Sequence, residues 1–120
     1  LYDWHTAKNV CPTGWHLPSD NEWSQLTDFV GNDPGTKLKA KGGWSSNGNG
    51  TDDYVFTALP GGFREYYDVF RYIGLGGYWW SSSEDGASTA WHRDMSHMYS
   101  ILRRNSFNKS AGLSVRCLKD

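Results

Sequence analysis

No run of this sequence reaches the roughly 18 apolar residues of a membrane-spanning helix, and no stretch has the layout of a signal peptide. A surplus of one charge is also missing. Twelve basic and 13 acidic side chains leave a net charge of −1, which argues against a broad electrostatic grip on nucleic acid. There is no Gly-x-Ser-x-Gly elbow, no His-Glu-x-x-His, no phosphate loop and no dinucleotide fingerprint. The histidines, His5, His16, His92 and His97, match no standard zinc spacing, and His16 inside Trp15-His16-Leu17-Pro18 reads as a structural residue. Aliphatic residues are few. Hydrophobic content is 38% and aromatic content 16%, with 7 Trp and 7 Tyr, so the core is expected to be built from large rings. Fourteen glycines imply many tight turns and little continuous helix.

The 120 residues make a single domain, 1–120. Because the chain opens on Leu1-Tyr2-Asp3-Trp4 without a methionine, it reads as a piece of a larger protein. The only cysteines, Cys11 and Cys117, sit near opposite ends. They are either two buried thiols or a bridge enclosing nearly the whole chain, which in the chain-entropy model gains about 4–5 kcal/mol. The composition favours the bridge and an oxidising, secreted setting.

Local signals place the elements. Ser19-Asp20-Asn21-Glu22 is a capping box, opening a helix in which Trp23, Leu26, Phe29 and Val30 are spaced as one apolar stripe and Gly31 suits the C-terminal cap. Pro34-Gly35 makes a turn before a short helical piece over 36–41. Gly42 to Asp53 is a long polar loop anchored by Trp44, of the kind that is usually functional or mobile; Tyr54 to Leu59 then re-enters the core. Tyr66-Tyr67-Asp68 marks a hairpin tip.

The segment Gly76–Glu84 emerges from a glycine turn with Tyr78, Trp79 and Trp80 in succession, and reads as the central strand. With side chains alternating, Trp79 toward the core turns Tyr78 and Trp80 the other way. Further short strands are expected over 90–95, 101–105 and 113–118, with Trp91, Arg93 and Met95 on one face and His92, Asp94 and Ser96 on the other.

Several blocks together carry a resemblance: Cys11-Pro-Thr-Gly-Trp-His-Leu-Pro-Ser-Asp-Asn-Glu-Trp23; Gly50-Thr-Asp-Asp-Tyr54 with Ala58-Leu-Pro-Gly-Gly-Phe-Arg64; Gly77-Tyr-Trp-Trp-Ser-Ser-Ser-Glu84 with Ala90-Trp-His-Arg93; and Leu113-Ser-Val-Arg-Cys-Leu-Lys-Asp120. In order and spacing they resemble the Fibrobacter succinogenes major paralogous domain, found in surface and secreted proteins of Bacteroidetes and their relatives. That family looks related to the C-type lectin-like fold, shared with formylglycine-generating enzymes and the variable receptor-binding proteins of retroelements. The resemblance implies an α+β domain, with one or two short helices, short antiparallel strands, long loops and a Cys11–Cys117 disulfide. Two departures stand out: the family has a segment before Leu1, and Val55 stands where it tends to have glycine.

The resemblance fixes fold better than function. The family carries no settled activity, and the rings and polar groups themselves read as a non-catalytic binding module at the cell surface or outside the cell, with a glycan or protein ligand, glycan ahead because of the aromatic content, no nucleic acid and no membrane insertion. The alternatives are an adhesin module contacting another domain of its parent protein, and an enzyme related to formylglycine-generating enzyme. In the expected fold Tyr66, Tyr67, Trp80, His92, Asp94, His97, Tyr99 and Arg104 form a ligand-binding patch of rings and polar groups. Trp15, Trp23, Trp79 and Trp91 are assigned to the core. No cofactor is required. Calcium is a candidate at Asn47, Asn49, Asp52 and Asp53, because a glycine-rich loop offers oxygens on a bendable backbone; the same residues also make turns through local hydrogen bonds.

Overall fold

The computed structural model describes residues 1–120. In chain order it contains helix α1 (Trp4–Ala7), strand β1 (Trp15–His16), helices α2 (Asp20–Val30) and α3 (Pro34–Leu38), the short strands β2 (Phe63–Arg64) and β3 (Phe70–Arg71), the long strands β4 (Gly76–Glu84), β5 (Thr89–Ser96) and β6 (Arg103–Asn108), and β7 (Leu118–Lys119). A three-stranded antiparallel sheet runs β4-β5-β6, while β1 pairs β7 and β2 pairs β3 as separate two-stranded ribbons. This is the α+β arrangement that the resemblance implies. Cys11 and Cys117 are disulfide-bonded, directly beside the β1–β7 ribbon.

β4 is central, and it is covered on both faces. Trp79 lies in one apolar cluster with Trp23, Val30, Leu38, Trp44, Ala58, Met95 and Leu102. Trp80 lies in another with Trp4, Ala7, Leu17, Phe63, Ala90, Ala111 and Leu113. Alternation therefore holds, but the expectation that Trp80 faces outward does not: it is 0% exposed. The N-terminal segment closes over it, through the Tyr2–Leu113 bridge and a 2.8 Å bond from the Trp80 indole to the Tyr2 carbonyl.

An aromatic core brings polar N–H groups inside with it, and an unpaired one is costly. Trp4 donates to Ser81 O, Trp23 to Trp80 O and Trp44 to Ala58 O. Each of these three indoles is thus also a cross-link between segments apart in sequence.

α2 carries the full capping box, with Glu22 N donating to Ser19 Oγ and Ser19 N to Glu22 Oε1. Trp23 and Val30 are buried, but Phe29 is 72% exposed. At 3.6 residues per turn it lies about 120° round from Trp23, and its ring packs edge-on against Tyr54 instead. Trp15, expected in the core, is also exposed, standing on a ribbon only two residues long.

The 113–118 stretch forms no continuous strand. Leu113 bridges Tyr2, Gly112 bridges Arg64 and Ser114 bridges Trp79, so successive residues serve different partners, and only Leu118–Lys119 pairs regularly.

Candidate functional site

The eight-residue patch expected from the sequence is divided by the fold among separate places. Trp80, His92 and Asp94 leave the surface altogether. His92 and Asp94 are each 2% exposed, on the β5 face covered by Trp80, Tyr78 and Phe107. His92 Nε2 pairs with Asp94 Oδ2 at 3.0 Å, and Asp94 Oδ1 accepts from Arg103 Nε at 2.7 Å. The pair holds the sheet from within; His92 Nδ1 is buried without a partner in the chain.

Arg104 is exposed but occupied. Its guanidinium lies 3.5 Å from the Trp91 ring centroid and donates to both carboxylate oxygens of Asp20, which also accepts from Arg93. Burial alone would raise the Asp20 carboxyl; the bonds from Arg104 and Arg93 outweigh it and hold the pKa below the ordinary value. Arg104 therefore clamps β6 to the start of α2.

Tyr66 and Tyr67 are available. They form the tip of the β2–β3 hairpin, where they are 70% and 50% exposed and meet edge-to-face at 4.7 Å. The hairpin is braced by its own charges: Arg64 bonds Asp68, and Arg71 bonds Glu65. Glu65 N also donates to Val69 O. On its inner side Phe63 packs against Tyr72, Tyr78 and Phe107. The rings at the tip are thus carried on an ordered frame. Between the tip and the end of β6 lies a groove of about 290 Å³, bordered by Glu65, Tyr66, Tyr67, Phe107, Asn108 and Ser110. Asn108 Oδ1 accepts from both the backbone and hydroxyl of Ser110, which fixes the amide at the rim.

His97 and Tyr99 sit at the β5–β6 turn, at the other end of β6. There they meet Asn47 and Asn49 across a polar cleft of about 310 Å³ that also includes Lys39. The four residues considered for calcium do not form one ligand set. Asn49 Oδ1 accepts from Trp44 N, and the Asp52 carboxylate is taken by the backbone and hydroxyl of Thr57, whose bonds lower its pKa. The cleft that Asn47 and Asn49 do share holds a lysine. Its charge opposes a cation, so the arrangement does not fit calcium there.

A further titratable group lies beside the disulfide. The His16 ring bridges Asp120 (2.6 Å) and Glu22 (3.0 Å), and these two carboxylates, Asp120 first, raise its pKa above the ordinary value. This is the structural role read for His16 in its Trp-His-Leu-Pro turn.

Sequence reasoning missed Val69, Phe70, Tyr72 and Ile73, all exposed on the same hairpin. Their signal was present: two-residue strands cannot bury a run this rich in rings. Lys39, between the buried Leu38 and Ala40, was missed as well: it stands in Lys37-Leu38-Lys39-Ala40-Lys41, where every second residue is a lysine and nothing local marks the middle one as enclosed.

No curated protein and no solved structure matches the chain. The family model described as Fibrobacter succinogenes major domain matches residues 1–119. With the blocks from Cys11 to Lys119 assembled around β4 and closed by the disulfide, the chain belongs to the Fibrobacter succinogenes major domain family.

Proposed function

We propose that this domain is a non-catalytic recognition module that takes a glycan in the groove between the β2–β3 hairpin and the end of β6. The observation that carries the reading is the exposure of Tyr66 and Tyr67 on a hairpin braced by two ion pairs. Contiguous exposed apolar surface on a small domain marks a binding site, and rigid rings supply contact area at low entropic cost. Sugar faces stack on such rings. Asn108, Ser110 and Glu65 at the rim offer the hydrogen bonds that orient hydroxyls. A groove of about 290 Å³ is near the lower end of small-molecule sites, the size of one or two sugar rings rather than a long chain.

Cysteine chemistry of the formylglycine-generating kind finds no thiol here, since both sulfurs are in the disulfide. The disulfide also favours an oxidising location, outside the cell or at its surface.

The test is a glycan-array screen of the wild type beside Tyr66→Ala and Tyr67→Ala. Both side chains are exposed, so melting temperatures are expected to stay within about 2–3 °C, because surface changes are usually within ±0.5 kcal/mol. Binding by the wild type that both variants lose supports the reading; binding that both retain places the site elsewhere. No glycan bound at all favours a second reading, for which Val69, Phe70 and Ile73 speak: these apolar side chains extend the patch and suit a protein partner.

A further inference from the structure

The polar cleft at the β5–β6 turn lies about 17 Å from the aromatic groove, at the opposite end of six-residue β6 at ~3.3 Å per residue. Nothing in the glycan reading of the groove bears on it. Its unusual member is Lys39, 3% exposed. The ammonium donates to the carbonyls of Ser96 (2.9 Å) and Tyr99 (3.1 Å), and the Trp44 ring lies 5.2 Å away. An ammonium has three hydrogens, so one remains. Lys39 takes part in no ion pair, unlike the buried Arg93, which has Asp20. An enclosed charge without a counter-charge is expensive, and burial holds the Lys39 pKa below the ordinary lysine value.

The cleft wall has no carboxylate, and its amide and hydroxyl side chains can donate. Thr36, Asn47, Asn49, His97, Tyr99 and Ser100 line it. Asn49 has its oxygen committed to Trp44 N, which leaves its NH₂ as the free end. The His97 ring is held by its Nδ1–H on the Leu75 carbonyl.

The wall is also built to a close fit. A Cβ on Gly48 would come 2.5 Å from the His97 Cβ, and one on Gly50 2.4 Å from the Thr36 carbonyl oxygen and 2.5 Å from that of Lys39. Gly50 N donates to Ala40 O and Thr51 N to Thr36 O. Only glycine lets the 47–50 loop lie this close to both partners, so the Asn side chains are carried on backbone fixed before any ligand arrives.

From this juxtaposition of a buried, uncompensated ammonium with a preformed, carboxylate-free wall of amide and hydroxyl groups, we propose that the cleft is a second binding site and takes a small oxyanion, a carboxylate or sulfate. The anion supplies the counter-charge that the fold withholds from Lys39, while Asn47, Asn49 and Ser100 hydrogen-bond its oxygens. Such a group can come free or carried on an acidic glycan.

The test is a heteronuclear NMR titration of the purified chain with sodium sulfate and, separately, with a chondroitin sulfate oligosaccharide. Sodium chloride at matched ionic strength is the control. Saturable shifts confined to 47–50 and 96–100 are expected. Lys39→Met keeps the stem and removes the charge, and should abolish them. Asn47→Asp leaves Lys39 in place, and Asp tolerates the left-handed φ of 60° found there; the added negative charge should weaken binding at least about tenfold. Tyr66→Ala should change nothing, which keeps a failure of this site distinct from a failure of the aromatic groove. Response to the oligosaccharide alone assigns the anion to a polymer; response to sulfate as well assigns it to the oxyanion itself. Absence of saturable shifts with either probe, or shifts that folded Asn47→Asp leaves unchanged, would overturn the proposal.

Discussion

Arg93 and Asp20, 73 positions apart, meet through a 2.6 Å hydrogen bond between Nη1 and Oδ1, with the arginine side chain only 3% exposed. Arg93 Nη2 also reaches the Asp20 carbonyl and the Ser24 hydroxyl. The pair joins the first turn of α2 to the middle of β5, and Arg104 closes over it from outside.

Asp20→Asn should therefore be among the most damaging polar substitutions. It leaves the Arg93 guanidinium enclosed without a counter-charge, a defect that costs about 3–5 kcal/mol. Arg104→Gln removes only the outer arginine, whose side chain is 47% exposed, and should cost no more than about 1 kcal/mol. Urea denaturation of both variants checks the order. The acid side has a defined sign as well. Asp20 has a lowered pKa, so its stabilisation is present above the ordinary carboxylate value of 3.8 and is lost as pH falls through the folded one. Asp20→Asn should flatten that acid limb.

His16 makes the opposite prediction. Its pKa is raised by Asp120 and Glu22. The stability it contributes is complete below the ordinary value of 6.5 and disappears as pH rises through the higher folded value. Melting temperature should thus decline across the window above 6.5 in the wild type, and His16→Asn should remove this decline. A wild-type curve flat through that window would contradict the assignment.

The disulfide spans 106 positions and adjoins a ribbon of only two residue pairs. Chain entropy for a loop of this length gives about 4–5 kcal/mol. Replacing both cysteines by serine should lower stability by up to that amount, read from urea midpoints, and should expose the amides of Trp15, His16 and Leu118 to fast hydrogen exchange before the rest of the sheet.

What could be read from the sequence was what is decided locally. The capping box of α2 needs only residues 19 to 22, and β4 announces itself through two glycines and three rings. Whether a residue on such an element is exposed was not legible, because a distant segment decides it. Trp80 is buried because Tyr2 and Trp4 close over it. Arg104 is a clamp because Asp20 waits 84 positions away. The outward tip of the hairpin was legible at Tyr66 and Tyr67, where a short turn leaves rings nowhere to go. Lys39 was not, since its burial arises from the return of the 96–100 turn over it.

Val55 gives the sharpest test of local backbone chemistry. Its φ is +56°. A β-branched side chain in the left-handed region is strained, since Cβ is driven toward the following carbonyl oxygen at about 1–2 kcal/mol. Val55 is 83% exposed, so little apolar burial offsets that strain. Val55→Gly should relieve it. Glycine's extra freedom in the unfolded chain takes back roughly 0.5–1 kcal/mol. The net expectation is a gain of about 0.5–1 kcal/mol, a rise of a few degrees in melting temperature for a domain of this size. Val55→Ala keeps the Cβ and drops the branch, and should recover less than glycine does. Calorimetry on the three proteins decides it: glycine above alanine above valine identifies backbone strain as the cause, whereas a drop for Val55→Gly would mean that the exposed valine is stabilised by contacts stronger than its strain.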